Sequence, residues 1–389
     1  MRDAVIVEAV RTPIGKGKPN GALAQIHPVA LLTHTLTALV ERSGIDPALV
    51  DDVIGGTVDQ VGEQAMNTTR NAWLGAGFPE SVPATTVDRQ CGSSQQAVHF
   101  AAQGVMAGAY DVVIACGVES MSRVPMWSNV PPGADPFGPG VAKRYPEGLV
   151  PQGISAELIA AKWSIGREAM DAYAVTSHER AAAAWADGLF DAEVAPVAGL
   201  TGDESVRPGT TAEVLAGLRP AFEDPAFAER FPQIEWSVTA GNSSPVNDGA
   251  SAVLIVSGET AERLGLRPLA RLHSFAVTGS DPLLMLTGVL PATERVLKRA
   301  GLALDDIDLF EVNEAFASVV LAWLQETGAD PSRLNVHGGA LALGHPLGAS
   351  GTRLMTTLVH AMRARGARYA LQTMCEAGGL ANATILEAV

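Results

Sequence analysis

Ser43-Gly44-Ile45-Asp46-Pro47-Ala48-Leu49-Val50-Asp51-Asp52-Val53-Ile54-Gly55-Gly56 and Ala300-Gly301-Leu302-Ala303-Leu304-Asp305-Asp306-Ile307-Asp308-Leu309-Phe310-Glu311-Val312 are two copies of one plan. Each reads as a helix end closed by glycine, a short aspartate-bearing turn, and an apolar run of strand length. The helix feeding the first copy is expected from about Pro28 to Ser43, with Leu31, Leu32, Leu36 and Leu39 on its apolar face. The helix feeding the second begins at about Ala292. The repeat widens from there. Tyr110-Asp111-Val112-Val113-Ile114-Ala115-Cys116-Gly117 parallels Tyr369-Ala370-Leu371-Gln372-Thr373-Met374-Cys375-Glu376, with cysteine six residues after tyrosine in both. A step of 25 residues back from Cys116 reaches Cys91, and the same step from Cys375 reaches Ser350. Residues 250–256 match 381–386 in the same way. Two similar α/β halves, each built on a mixed sheet, follow from this repeat.

Between the shared elements lies a long excursion. It opens with Pro125, Pro131, Pro132, Pro136 and Pro139, which reads as irregular loop, and then carries helical stretches near 155–163 and 168–186. Excursions of this length in compact enzymes usually supply a lid or a binding wall. The expected division is therefore 1–118 together with 249–268 as a first half, 119–248 as an inserted loop domain, and 269–389 as a second half. The early run Gly15-Lys16-Gly17-Lys18-Pro19-Asn20-Gly21 lacks the Lys-Ser/Thr and helix start of a phosphate loop, and reads as a solvated turn.

Composition bounds the function. The 389 residues are 47% hydrophobic and 18% charged with 40 glycines, the profile of a well-buried, loop-rich enzyme. A net charge of −15 argues against nucleic-acid binding and against attraction to anionic membranes. Three widely spaced cysteines do not make a disulfide framework and fit a reducing compartment. The chain enters a strand at Ala4-Val5-Ile6-Val7, leaving no room for a signal peptide, and no apolar run reaches membrane-spanning length. A cytoplasmic protein without a metal site is expected.

Four stretches carry candidate chemistry. Thr85-Thr86-Val87-Asp88-Arg89-Gln90-Cys91-Gly92-Ser93-Ser94 reads as a strand, a tight turn, and a helix starting at or just after Cys91. A cysteine at a helix N-terminus faces free N–H groups and the positive end of the helix dipole, which favours thiolate and makes it a nucleophile. Glu311-Val312-Asn313-Glu314-Ala315-Phe316 sets polar groups where a strand ends. Gly344-His345-Pro346 places an imidazole in a glycine-rich turn before a helix, and Met374-Cys375-Glu376-Ala377-Gly378-Gly379 places a second cysteine at a strand end. His99 and His360 fall within helices and read as packing or surface residues; Cys116 reads as core.

With these four motifs in this order, the chain resembles the thiolases over essentially its whole length. The resemblance implies acyl transfer to or from coenzyme A through an acyl-cysteine intermediate. It implies a thiolase fold, two mixed-sheet halves in a five-layered αβαβα arrangement, and a homodimer or homotetramer. Coenzyme A and acyl-CoA enter as substrates, with no permanently bound cofactor. By the same resemblance Cys91 is the nucleophile, His345 takes its proton, and Cys375 handles the proton next to the thioester. One oxyanion hole uses His345 and a water held by Asn313. The other uses the backbone N–H of Cys91 and of Ala377, where the family commonly has glycine. Ser244 falls on a contact to the pantetheine arm and Arg207 near the adenine end. Met285 and Phe316 fall on the acyl pocket, and Pro151-Gln152 stands where the family has His-Met, so Gln152 replaces a pocket wall.

A degradative 3-ketoacyl-CoA thiolase of β-oxidation type is the leading expectation, on a substrate bulkier than acetoacetyl-CoA. A short-chain acetyl-CoA C-acetyltransferase is the alternative. Ketoacyl synthases pair their cysteine with two histidines, which this chain does not offer. A non-catalytic CoA- or lipid-binding relative should lack one of Cys91, His345 or Cys375, and all three are present.

Overall fold

The computed structural model describes residues 2–389. Its first part runs β1 (Ala4–Arg11), β2 (Gly15–Lys16), α1 (Pro28–Ser43), β3 (Asp52–Gly56), α2 (Thr68–Gly75), β4 (Ala84–Val87), α3 (Ser93–Ala107) and β5 (Val112–Ser120). The chain then leaves the sheet for α4 (Gly138–Arg144), α5 (Gln152–Lys162), α6 (Arg167–Ala186), α7 (Ala212–Ala216) and α8 (Pro225–Arg230). It returns as β6 (Asn247–Ser257) and α9 (Gly258–Leu264). The remainder is β7 (Ala270–Gly279), α10 (Val289–Ala300), β8 (Leu309–Val312), α11 (Ala317–Thr327), α12 (Ala340–Leu343), α13 (Ser350–Arg365), β9 (Tyr369–Glu376) and β10 (Leu380–Glu387).

Local chemistry sets the ends of the repeated helices. Pro28 opens α1, where its missing N–H removes nothing, and the His27 side chain accepts from the Val29 N–H. Gly44 closes α1 at φ 67° and Gly301 closes α10 at φ 69°, left-handed positions that glycine takes without steric penalty. Two expectations shift. Gly15 and Lys16, read as solvated turn, pair with Asp248 and Asn247 of β6. Helix α4 starts within the proline-rich run, at Gly138.

The sheet order is β4-β3-β5-β6-β1-β7-β10-β9-β8, with β2 on β6. The repeat is visible in the pairing. β3 is parallel to β5, and β5, β6 and β1 follow antiparallel; β8 is parallel to β9, and β9, β10 and β7 follow antiparallel. β4 has only a remnant counterpart, a parallel bridge from Leu334 to Phe310. Within the sheet the halves join at Val5↔Arg271 and Ile6↔Ala270.

Strands buried on both faces divide their side chains between two cores, because successive residues point to opposite faces. In β1, Val5 and Val7 face a core with Leu31, Leu36 and Leu39 of α1. Ile6 faces a central core with Val98 and Val105 of α3 and Leu358 and Val359 of α13. On the far side, Val296 of α10 and Trp323 of α11 pack with Ala381 and Ile385 of β10. The result is helix, sheet, helix, sheet, helix: the five layers.

Two glycines let the central helices press onto the sheet. Gly56 of β3 pairs with Gly117 of β5. A Cβ on Gly117 would lie 2.3 Å from the Gly348 carbonyl oxygen and 2.8 Å from Ser94 Cβ, and one on Gly56 would lie 2.4 Å from Ser94 N. The first turn of α3 and the segment before α13 therefore rest on bare backbone. That close approach brings the Cys91 turn and the His345 turn to one end of the molecule.

Candidate active site

The turn from β4 into α3 is held in a strained shape. Gln90 adopts φ 50°, a conformation that costs a non-glycine residue roughly 1–2 kcal/mol. Asp88 Oδ1 accepts the Gln90 N–H at 2.6 Å, and Ser93 Oγ donates to the Gln90 carbonyl while accepting the Arg89 N–H. These bonds hold the kink that sets Cys91 in the wall of a cavity of about 320 Å3.

The expectation of a thiolate at Cys91 is corrected. Helix α3 starts at Ser93, with Gly92 as its cap, and Cys91 is only 4% exposed. Burial pushes its thiol pKa strongly up; the neighbouring Cys375 and Glu376 add to this, and the Gln152 amide and the Cys91 N–H oppose it. Desolvation disfavours the charged form more than one helix terminus favours it. Cys91 rests as a neutral thiol and needs a base to become a nucleophile.

Cys375, next to last in β9, pairs with Ala381 of β10 and is fully buried. Burial, then Glu376, raises its thiol to about 12, with the Asn313 amide acting the other way. Asn313 follows β8, and its N–H bonds the Thr373 carbonyl, which continues the β8–β9 ladder. Its side chain is buried with the amide near the Cys375 sulfur but outside hydrogen-bond geometry, and Oδ1 and Nδ2 have no other protein partner.

His345 follows α12, with its N–H on Asn247 Oδ1 at 2.9 Å. Its Nδ1 lies 2.6 Å from Ser350 Oγ, and that hydroxyl donates to the Pro346 carbonyl at 2.8 Å. Since the single hydroxyl proton is committed to Pro346, Nδ1 must be the donor to Ser350. This assigns the proton to Nδ1 and leaves the lone pair on Nε2, which has no protein partner. Burial, with Arg353 second, lowers the imidazole pKa to about 3, so it is neutral at ordinary pH. Ser350, the repeat counterpart of Cys91, thus orients the histidine.

The cavity wall joins Cys91 to Gln152, Met285, Ala377 and Gly378. Met126, Trp127 and Phe137, from the segment between β5 and α5, close one side. Ser244, Arg207 and Phe316 do not line it. The Ser244 N–H bonds the Ala315 carbonyl, the Arg207 N–H bonds His178 Nδ1, and Phe316 packs edge-on against Phe222 at 5.9 Å. All three cysteines are unpaired, and Cys116 is buried in the outer core of the first half. His99 is buried against Thr384 and His360 reaches the Ala9 carbonyl. Among the described residues, no cluster of three or more His, Cys, Asp or Glu could hold a metal ion, and no helix is long and apolar enough to cross a membrane.

Two carboxylates hold the site together: Glu119 escapes sequence reasoning, and Glu314 is marked only as part of the polar stretch that contains Asn313. Glu119, at the end of β5, accepts from the Val58, Asp59 and Gly348 N–H groups and from Gln64 Nε2. Glu314 accepts from Tyr173, Ser177, Asn335 and the Leu341 N–H, tying α6 to the approach to α12. The only signal for Glu119 is one acid ending a strand of buried residues.

Comparison with known proteins agrees with this geometry. The model of the thiolase N-terminal domain matches residues 4–259, and that of the thiolase C-terminal domain matches 266–388. The chain is 48% identical over 398 residues to a steroid 3-ketoacyl-CoA thiolase of Mycobacterium tuberculosis, covering 100% of this chain and 94% of that protein. It is 43% identical to a 3-ketoacyl-CoA thiolase of Aliivibrio fischeri and 42% identical to one of Bacillus subtilis, covering 100% of each chain. A crystal structure of the Bacillus anthracis acetyl-CoA acetyltransferase superposes with a TM-score of 0.88 at 37% identity, covering 100% of this chain and 99% of that one.

Proposed function

The chain belongs to the thiolase family, and from that we propose which of its residues carry the acyl transfer between coenzyme A and acetyl-CoA. It is an acyltransferase of the degradative, 3-ketoacyl-CoA thiolase kind. In thiolysis the Cys91 sulfur attacks the 3-keto carbon as its proton passes to His345 Nε2. The C2–C3 bond breaks, leaving the acyl group on Cys91. The departing acetyl-CoA enolate takes a proton from Cys375. Free coenzyme A then attacks the acyl-cysteine, its thiol proton returning to Cys375 while His345 gives its proton back to the leaving Cys91 sulfur, and a shortened acyl-CoA is released. The observation that carries this reading is the neutral, Nδ1-protonated His345 with an unpartnered Nε2 at the end of the fold that holds two neutral thiols.

The same Nε2, once protonated, donates to the developing oxyanion, joined by a water on the Asn313 amide; the Cys91 and Ala377 N–H groups serve the second oxyanion. Loss of the Nδ1 acceptor gives a direct check. Ser350→Ala removes one neutral hydrogen bond, about 1 kcal/mol, so acylation of Cys91 in a single turnover is expected to slow roughly fivefold with little change in KM. An unaltered acylation rate means that Ser350 does not orient His345.

Ser244 and Arg207 are assigned to coenzyme A contacts outside the acyl cavity, and Phe316 to a position behind the acyl wall. The division into 1–118 with 249–268, 119–248, and 269–389 is supported by the sheet topology. A homodimer or homotetramer is supported by the open outer edge of β4 and the exposed Met66 and Phe100. Unpaired cysteines favour the cytoplasm.

The experiment that tests the function is a thiolysis panel of 3-ketoacyl-CoA esters of graded size with free coenzyme A. Gln152 and Met285 line a cavity large enough for a branched or ring-bearing chain, and each buried methylene is worth about 0.8 kcal/mol. A medium or cyclic ester is expected to exceed acetoacetyl-CoA at least about tenfold in kcat/KM, and Gln152→Met to shrink that preference. Should acetoacetyl-CoA be best and Gln152→Met silent, a short-chain acetyltransferase stands instead.

A further inference from the structure

The cavity beside Cys91 is walled mostly by apolar groups, among them Met126, Trp127, Phe137, Met285 and Leu347, yet one wall holds a carboxyl. Asp59 lies just after β3, lines the cavity that Cys91 lines, and is 2% exposed. Its Oδ1 has no hydrogen-bond partner in the protein. Its backbone is fastened: Glu119 accepts the Val58 and Asp59 N–H groups, and Gln64 Nε2 donates to the Asp59 carbonyl at 3.0 Å. The carboxyl is thus held in the wall by a second layer of bonds, in the way that a recognition group is held. The Asn129 and Trp127 N–H groups face the carboxyl, yet Oδ1 is left without a hydrogen-bond partner, and a donor on a bound molecule would supply the bond that the wall leaves unmade.

Resting on the acyl-transfer reading above, we propose that Asp59 is a specificity-determining residue that accepts a hydrogen bond from a hydroxyl on the acyl chain. The preferred substrates are then bulky 3-ketoacyl-CoA esters that carry a neutral hydroxyl group. Three observations narrow the choice. The coenzyme contacts assigned to Ser244 and Arg207 lie outside this wall, so the cavity takes the acyl end. The remaining polar groups of the wall, Gln90, Asn129 and Gln152, are uncharged amides suited to a hydroxyl. Finally, Asp59 and Asp88 set two carboxyls close to one another at this end of the cavity. Burial raises the Asp59 pKa against the Asn129 and Trp127 N–H groups, and Asp88 raises it further. A carboxylate on the acyl chain would be repelled there, whereas a hydroxyl is not.

The test is thiolysis, with free coenzyme A, of cyclic 3-ketoacyl-CoA esters that share one carbon skeleton. One is plain, one series carries a hydroxyl moved around the ring, and one carries a carboxylate. Wild type, Asp59→Asn and Asp59→Leu are compared. At one hydroxyl position the wild type is expected to favour the hydroxylated over the plain ester by at least about tenfold in kcat/KM, since a site built to bond a hydroxyl rejects the analogue lacking it. The carboxylate ester should be poorer than the plain one. Asp59→Leu should bring the hydroxylated-to-plain ratio to about one, and Asp59→Asn, whose amide oxygen still accepts, should keep part of it. A wild-type ratio near one at every position overturns the proposal. So does a ratio that survives in Asp59→Leu while all rates fall together, the result of a purely structural role. Acetoacetyl-CoA is the control: if the wild type cleaves it but none of the cyclic esters, the proposal is overturned and acyl transfer stands, whereas cleavage of neither overturns the acyl-transfer reading itself.

Discussion

Cys91→Ala is expected to abolish acyl transfer in both directions, by on the order of 10⁴-fold or more, because the covalent route is lost with the nucleophile. The fold should survive. The change removes one buried sulfur, worth about 1 kcal/mol of packing, and leaves the kink at Gln90 with its bonds to Asp88 and Ser93 intact. Incubating the wild type with an acyl-CoA should give one acyl adduct by intact mass, mapped to Cys91. Cys116 and Cys375 are the internal controls, since all three thiols are buried. An adduct on Cys116 would sink the assignment. The resting thiol adds a kinetic mark. With its pKa pushed up by burial, Cys91 should react slowly with iodoacetamide near pH 7, unlike an exposed low-pKa cysteine. Rapid alkylation at neutral pH would restore the thiolate that the helix terminus alone leads one to expect.

Cys375→Ser should divide the reaction into two. Acylation of Cys91 by acetyl-CoA removes no proton from carbon, so the adduct should still form. Condensation, and exchange of the acetyl-CoA methyl protons with deuterated water, should fall roughly 10²–10⁴-fold, the usual size of a lost general base. The high proton affinity of Cys375 is consistent with this work: at a pKa of about 12 its thiolate is strongly basic, and the thiol readily gives way to an enolate that is more basic still. Asn313, whose amide favours the thiolate, tempers that basicity. Methyl-proton exchange that persists in Cys375→Ser would move the base elsewhere, with His345 the next candidate.

The halves, the helices that open the repeat, and the four motif stretches were legible because each rests on a local signal. Leucines at helical spacing mark α1, glycines at left-handed positions end α1 and α10, and Cys91, Asn313, His345 and Cys375 fall at strand or helix ends that such signals bound. The Nδ1 proton of His345 was not legible, although its partner Ser350 is only five residues away. It depends on a turn that directs the Ser350 hydroxyl to the Pro346 carbonyl.

By itself, then, the sequence determined the family, the doubled α/β plan and the identity of the candidate reactive groups, since short-range periodicity and turn chemistry need only neighbouring residues. Tertiary structure alone decided the protonation of those groups and the character of the acyl cavity. Cys91 reads as a thiolate from its helix terminus and becomes a neutral thiol once the fold buries it, with Cys375 and Glu376 adding to the effect. The cavity wall joins Asp59 to Trp127 and Gln152, and Glu119 ties Val58 to Gly348, 290 residues along the chain from one another. Desolvation and hydrogen-bond partnership are set by whatever the fold brings within a few ångströms, and no local pattern encodes that.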